Sequence, residues 1–186
     1  MMNVELQSAH GWHRNRWRIL GWGTALALLL TPLVAMQFTR EVQWTGSDFV
    51  FAALMFATVG GLLELAVRMT RNSFYRAGAA FAVLSAFLLV WANGAIGLIG
   101  NGDHPINSVF MGVPLLALVG SALARFKARG MAQAMFAAGA VQAGLATVFG
   151  IFGSDMRGGI WTVIISGLWL LSGALFRAAD TRQRAT

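Results

Sequence analysis

The chain has 186 residues, of which 57% are hydrophobic and only 11% are charged, and its mean hydropathy is +0.64. Soluble domains carry about 25% charged residues, so this composition excludes an ordinary water-soluble domain. The formal net charge of +7 comes from basic clusters separated by apolar runs. A nucleic-acid-binding protein would instead carry a continuous basic face or a sequence-recognition motif, and the chain has neither.

Six apolar segments follow one another along the chain, joined by short polar connections. Each has about the twenty residues that cross ~30 Å of hydrocarbon. Hydrocarbon offers no partners to backbone N–H and C=O groups, so each segment is predicted to be an α-helix. The sequence therefore predicts an all-α membrane bundle with six transmembrane spans, numbered 1 to 6: Trp17–Phe38, Phe49–Val67, Ala77–Ile99, Asn107–Phe126, Met131–Phe152 and Gly159–Phe176.

The basic residues alternate between the two sides of this predicted bundle. Arg40 and Arg157 are the only two of the fourteen Lys and Arg residues that lie on the side opposite the termini. Because positively charged connections stay in the cytoplasm, this asymmetry predicts cytoplasmic N and C termini. It divides the chain into a basic and aromatic N-terminal segment (1–16), a six-helix transmembrane domain (17–177) and a cytoplasmic tail (178–186).

The N-terminal segment leads into span 1 through the run HGWHRNRWR. Tryptophan and arginine are typical of membrane interfaces, where basic side chains attract anionic lipid, so we interpret this run as an interfacial anchor. The alternative is a metal site that uses His10 and His13 and would need a further ligand. Span 1 continues past Pro32 to Phe38, which is long for a signal peptide, and no clear cleavage site follows. An uncleaved anchor is therefore expected.

Small residues line one face of four spans, a pattern by which membrane helices pack closely. In span 3 the opposite face carries Leu84, Leu88, Trp91 and Leu98 and is predicted to contact lipid. Span 1 is predicted to bend at Pro32, which lacks a backbone N–H. The packing faces are Ala53, Ala57, Gly60 and Glu64 in span 2; Ala82, Ala86, Asn93, Gly97 and Gly100 in span 3; Ala138, Gly139, Gln142 and Ala146 in span 5; and Gly159, Thr162, Ser166 and Gly173 in span 6.

Three polar side chains lie on these packing faces. Glu64 precedes Arg68 by four residues, the spacing and order of a helical ion pair. Alternatively, its carboxyl group serves a proton relay or ion coupling. Asn93 and Gln142 can hydrogen-bond across helices, a contribution of about 0.6–2 kcal/mol each. Alternatively, the same side chains line a polar path for a small solute.

The connection after span 3 reads NGDHPIN and has the composition of a turn. Gly100 and Gly102 suit the left-handed conformation that commonly closes a helix. Asn107 or Ser108 can cap the start of the next helix. Most of this connection is therefore predicted to have a structural role.

The same connection contains the only Asp-His pair in the chain, Asp103 and His104. A metal site is the alternative to a purely structural turn. It would join Asp103 and His104 with Asp48 or Asp155 from neighbouring connections.

Several chemistries lack the residues that they need. The chain has no cysteine, which excludes disulfides, thiolate metal sites and cysteine nucleophiles. His10, His13 and His104 all lie outside the spans, which argues against haem ligation and a Ser-His pair at membrane depth. The only lysine, Lys127, lies in a connection, and no HExxH motif occurs. No catalytic residue and no cofactor are predicted.

The stretch from Glu64 to Gly100, ELAVRMTRNSFYRAGAAFAVLSAFLLVWANGAIGLIG, is followed by NGDHPIN and the basic run ARFKARGMAQAMF. Together these stretches resemble a group of small bacterial multi-pass membrane proteins with no assigned function. The resemblance covers spans 2 to 5 and implies a bacterial inner membrane. No activity, cofactor or site residue follows from it.

These features predict a non-enzymatic inner-membrane protein that serves as an accessory or scaffold subunit or as a homo-oligomer. The expected partners are membrane lipids, with anionic lipid at the cytoplasmic face, and a second copy or another membrane protein. Nucleic acid is not expected to bind. The alternative function is a small channel or permease for an ion or small solute, in which Glu64, Asn93, Gln142 and the bend at Pro32 would form the path.

Overall fold

A computed structural model describes the backbone of residues 2–100 and 104–185 and the side chains of residues 18–100, 104–153 and 155–185. All regular structure in these ranges is helical. It consists of α1 (Met2–Ala35), α2 (Gly46–Met69), α3 (Ser73–Ala95), α4 (Ile106–Phe110), α5 (Gly112–Leu123), α6 (Ala128–Leu145), a π-helical segment (Ala146–Ser154) and α7 (Met156–Ala185).

Six helices in the described chain are long and apolar enough to cross a membrane. Two of them are composite, since α4 and α5 form the fourth and α6 forms the fifth together with most of the π-helical segment. The predicted all-α class is therefore confirmed, and so is the predicted number of helices that are long and apolar enough to cross a membrane.

Polar side chains fix the starts of α2 and α7. Asp48 accepts hydrogen bonds from Thr45 N (2.6 Å) and Thr45 Oγ1 (2.7 Å), which starts α2 three residues earlier than predicted. Asp155 accepts one from Gly158 N at 3.0 Å and starts α7 at Met156 rather than at Gly159. Helix α7 then continues to Ala185, so residues 178–185 of the predicted tail are helical.

The chain divides into two compact units between Gly61 and Leu62, within α2. In the first unit the ring of Trp22 packs on Gly60, where a Cβ would lie 2.9 Å from the ring. Helix α1 continues through Pro32, and the hydroxyl of Thr31 donates to Ala27 O at 2.9 Å. The bend expected at Pro32 stays a prediction.

In the second unit α7 packs against α3, α6 and the π-helical segment, and α5 packs against α6. The small and polar residues predicted to line spans 5 and 6 are all buried, as expected. The buried face of α7 continues through large side chains at the same helical spacing. It comprises Gly159, Thr162, Ser166, Trp169, Ser172, Gly173, Phe176 and Ala179.

The end of span 3 differs from the prediction. Helix α3 ends at Ala95, and Gly97 (φ +78°) and Gly100 (φ +67°) both adopt the left-handed conformation that glycine favours. Neither glycine therefore belongs to a helix face. Leu98, which was predicted to contact lipid, is buried because the chain folds inward after the helix ends.

After α6 the chain continues as a π-helical segment whose helical backbone is interrupted at Gly153 (φ −102°, ψ −135°). The sequence pattern did not predict this segment. It brings Gly150 against Gly159 of α7 so closely that a Cβ at position 150 would collide with the Cα atom of Gly159. Small residues allow this backbone-to-backbone approach between membrane helices. The glycine pair therefore fixes how span 5 meets α7.

Candidate functional site

Gln142 is fully buried between α6 and α7, and both ends of its amide are hydrogen-bonded. Its Nε2 donates to Thr162 O at 3.1 Å, and its Oε1 accepts from Trp169 Nε1 at 2.8 Å. Each bond joins the two helices, and the Trp169 side chain is itself 1% exposed. In this arrangement Gln142 stabilises the packing of α6 on α7 through one donated and one accepted hydrogen bond.

Asn93 lies one turn beyond the buried Leu89, close to the end of α3. Its Oδ1 atom is buried and receives no hydrogen bond from the described residues. A buried acceptor without a donor costs about 1–3 kcal/mol. Asn93 therefore contrasts with Gln142, although the sequence pattern assigned both residues the same role.

Glu64 and Arg68 form the ion pair that their spacing predicts. Arg68 Nη2 lies 2.6 Å from Glu64 Oε1, and the two side chains are 68% and 24% exposed, respectively. The positive charge of Arg68 also lies in the last turn of α2, where the helix dipole favours it. The Glu64 carboxylate is thus engaged locally, as a structural ion pair requires.

The segment Ile96–Gly100, which follows α3, is held in place by two side chains from other parts of the chain. Asn107 Oδ1 accepts from Leu98 N (3.0 Å) and Ile99 N (3.1 Å), and its Nδ2 donates to Ile99 O (3.2 Å). Asn107 was predicted as a possible cap of α4. It does not cap this helix, because its amide is hydrogen-bonded to the buried backbone of Leu98 and Ile99.

Asp155 supplies the second attachment of this segment. One carboxylate oxygen, Oδ2, accepts from Gly100 N at 3.0 Å, while Oδ1 accepts from Gly158 N in the first turn of α7. A Cβ at Gly158 would collide with this carboxylate and with Leu98 O, so only glycine fits there. Asp155 therefore links the connection after α3 to the start of α7.

The proposed metal ligands are distributed as follows. His104 Nδ1 accepts a long hydrogen bond from Ile106 N (3.4 Å), and Asp48 and Asp155 each accept bonds from nearby backbone N–H groups. Among the described residues, no three His, Asp or Glu side chains lie together as a metal ion would need. Asp103 and the side chains of His10 and His13 lie outside the described residues, so both metal sites stay predictions.

The hydrogen bonds at Asp155 predict a pH-dependent stability. The backbone N–H groups of Gly158 and Gly100, with the nearby charge of Arg157, lower the pKa of Asp155 below its ordinary value of 3.8. A lowered pKa stabilises the folded state fully above the pKa of the unfolded chain, and this stabilisation is lost as the pH falls through the lower folded-state pKa. The melting temperature in detergent is therefore expected to decrease as the pH is lowered beyond about 4.

Asp155→Asn tests this assignment, since asparagine can still cap α7 with its one acceptor oxygen but loses the charge and the second acceptor. At pH 6 the variant is expected to melt about 2–4 °C lower than the wild type, the shift that about 1 kcal/mol produces in a chain of this size. The difference between the two curves should shrink as the pH falls below about 4. A constant difference from pH 6 to pH 3 would show that Asp155 is not the titrating group.

Comparison with family models, with characterised proteins and with solved structures finds no match to this chain. The resemblance to small bacterial membrane proteins therefore stays a prediction. Asn107 and Asp155, whose side chains bond to the segment Ile96–Gly100, were considered in the sequence only as a helix cap and as a metal ligand. The run SDMRGG does contain a recognisable capping pattern before α7, and this could have identified Asp155.

Proposed function

We propose that the chain is an integral multi-pass protein of a bacterial inner membrane, with six spans and both termini in the cytoplasm. It acts without catalysis as an accessory or scaffold subunit or as a homo-oligomer. The six helices of spanning length support insertion, and the position of the basic residues supports this orientation.

The observation that carries the proposal is the use of polar groups for packing inside the second unit. Gln142 bonds Thr162 and Trp169, and the hydroxyl of Ser172 donates to Gly78 O at 2.7 Å. A conducting path needs polar groups that are available to an ion or solute. Groups that already bond to neighbouring helices support a structural role instead.

A second set of small residues supports association with another helix. Ala137, Ala140 and Gly144 are exposed on α6, at spacings that place them on one side of the helix. A Cβ at Gly144 would have nothing within 4 Å. In a membrane, such a face allows the close approach of a helix from a second chain.

Cysteine cross-linking in membranes tests the proposal, because the chain has no native cysteine. Oxidation of Ala140→Cys is expected to give a cross-linked dimer of the chain or a cross-link to a partner. Leu118→Cys is the control, since Leu118 is 57% exposed on α5 and lies outside this face. Its cross-linking yield is expected to be at least fivefold lower.

Two results would contradict the proposed role. One is a strict monomer, without any partner, in native mass spectrometry of material extracted gently from membranes. The other is a flux of an ion or small solute into proteoliposomes that Asn93→Leu abolishes while the chain remains folded. The second result would favour the permease.

A further inference from the structure

The connection between α5 and α6 has an unusual backbone. Arg125 (φ +51°) and Phe126 (φ +57°) are successive left-handed residues, and neither is glycine. The left-handed region is disfavoured for residues that carry a Cβ, and two in succession persist only when their surroundings enforce them. Strained backbone of this kind is concentrated at binding and switch sites.

Two contacts hold this connection in place. The hydroxyl of Tyr75, on α3, donates to Phe126 O at 2.8 Å, and the Tyr75 side chain is only 5% exposed. Gly130 lies so close to Ala124 that a Cβ at position 130 would collide with the Ala124 methyl group. The turn is thus bonded to α3 through Tyr75, and its two ends pack against each other at Ala124 and Gly130.

The side chains presented by this turn are basic and aromatic. Arg125, Lys127 and Arg129 are exposed, and the apolar ring of Phe126 is 41% exposed between them. No acidic residue occurs between Ser73 and Gly102 or between Asn107 and Ser154. Several other cations at the same helix ends have partners in the structure: Arg68 with Glu64, Arg76 with Val67 O and Thr70 O, Arg182 with the Phe74 ring, and Arg184 with Asp180.

We propose that the turn Arg125–Arg129 is a binding site for the headgroup of an anionic phospholipid. The cations of the turn bind the phosphate, and Phe126 lies at the boundary with the acyl chains, where aromatic rings are favoured. Tyr75 acts as a positioning residue that fixes the left-handed turn. The inference rests on the proposed membrane insertion with this end at the cytoplasmic leaflet.

Thermal unfolding of the full chain in lipid nanodiscs tests the site. The discs contain phosphatidylcholine alone or phosphatidylcholine mixed with phosphatidylglycerol. A lipid that binds the folded state raises its melting temperature, and an increase of about 4 °C with phosphatidylglycerol is expected for the wild type. In the double variant Arg125→Gln/Lys127→Gln this increase is expected to fall at least twofold.

The double variant Arg71→Gln/Arg177→Gln is the matched control. It removes the same charge from two exposed arginines at the same helix ends but leaves the turn intact. The lipid-dependent increase is expected to persist in this control. An equal loss in both double variants would overturn the site, since the effect would then follow the total charge of the surface.

Tyr75→Phe tests the positioning role without changing any charge. It keeps the edge-to-face contact of this ring with Phe176 and removes only the bond to Phe126 O. The variant is expected to melt lower in phosphatidylcholine, and its lipid-dependent increase should also shrink about twofold. An unchanged increase would overturn the role of Tyr75.

The experiments distinguish a failure of the lipid site from a failure of the proposed function. A chain that stays in the membrane on alkaline extraction and cross-links through Ala140→Cys, yet shows no increase with phosphatidylglycerol, overturns the lipid site alone. A chain that is extracted by alkali overturns both.

Discussion

Replacing Gly159 with alanine is expected to lower the free energy of unfolding by about 3 kcal/mol, the upper end of the usual cost of overfilling a packed interior. The new Cβ would lie 2.6 Å from Ile151 N and 2.8 Å from the Cα and carbonyl carbon of Gly150. These are backbone atoms, so no rotation of a side chain relieves the contact. Either α7 or the π-helical segment has to move, and Gly139 and Gly173 hold α6 and α7 together at two further close contacts. Reversible unfolding in mixed micelles measures the loss.

Gly167→Ala is the matched control for this effect. It makes the same substitution on the same helix, but a Cβ at position 167 has nothing within 4 Å. Alanine is favoured over glycine within a helix, so this variant is expected to gain about 0.5–1 kcal/mol. Gly150→Ala should behave like Gly159→Ala, because it inserts a methyl group into the same contact from the other side. Equal effects at positions 159 and 167 would show that helix propensity, rather than the glycine contact, determines the result.

The number of helices of spanning length could be predicted because hydrophobic length is a local property of the sequence. The packing faces of spans 5 and 6 were also predictable, since small residues recur at helical spacing and α7 lies between several neighbours. Prediction was wrong where the chain leaves the helix. The run GAIGLIG is as apolar as the helix before it, so hydropathy continued span 3 to Ile99, whereas left-handed Gly97 ends it.

In the candidate site, contacts between residues close in sequence could be predicted, and contacts between distant residues could not. The pairing of Glu64 with Arg68 depends on a separation of four residues and can be read from the sequence. The bond from Gly100 N to Asp155 joins residues 55 positions apart, and no periodic pattern indicates it. The sequence does not indicate the π-helical segment either, since the run ATVFGIFG has the composition of an ordinary apolar helix.

Gln142 and Asn93 had the same predicted role, and the structure separates them. Gln142→Met is expected to lower the free energy of unfolding by about 2 kcal/mol. Methionine fills a similar volume, so the cost arises mainly from Trp169 Nε1, which remains buried without an acceptor. Adding Trp169→Phe to Gln142→Met should cost less than the sum of the two single changes, because the bond between them is lost only once.

Asn93→Leu is the complementary change and should have the opposite sign. Leucine has nearly the shape of asparagine, and the Oδ1 atom that it replaces accepts no hydrogen bond from the described residues. The substitution removes the cost of burying that oxygen, so the unfolding free energy is expected to stay constant or to rise by up to about 1 kcal/mol. Both variants exchange an amide for an apolar side chain, but only the Gln142 amide is fully buried and bonded at both ends, so the difference between them reflects those bonds together with the burial of that amide. If Asn93→Leu destabilises the chain as much as Gln142→Met, then the Asn93 amide has a hydrogen-bond partner in the folded chain and contributes to packing as Gln142 does. A polar path along α3 would instead require that the substitution leaves the stability unchanged and abolishes a flux.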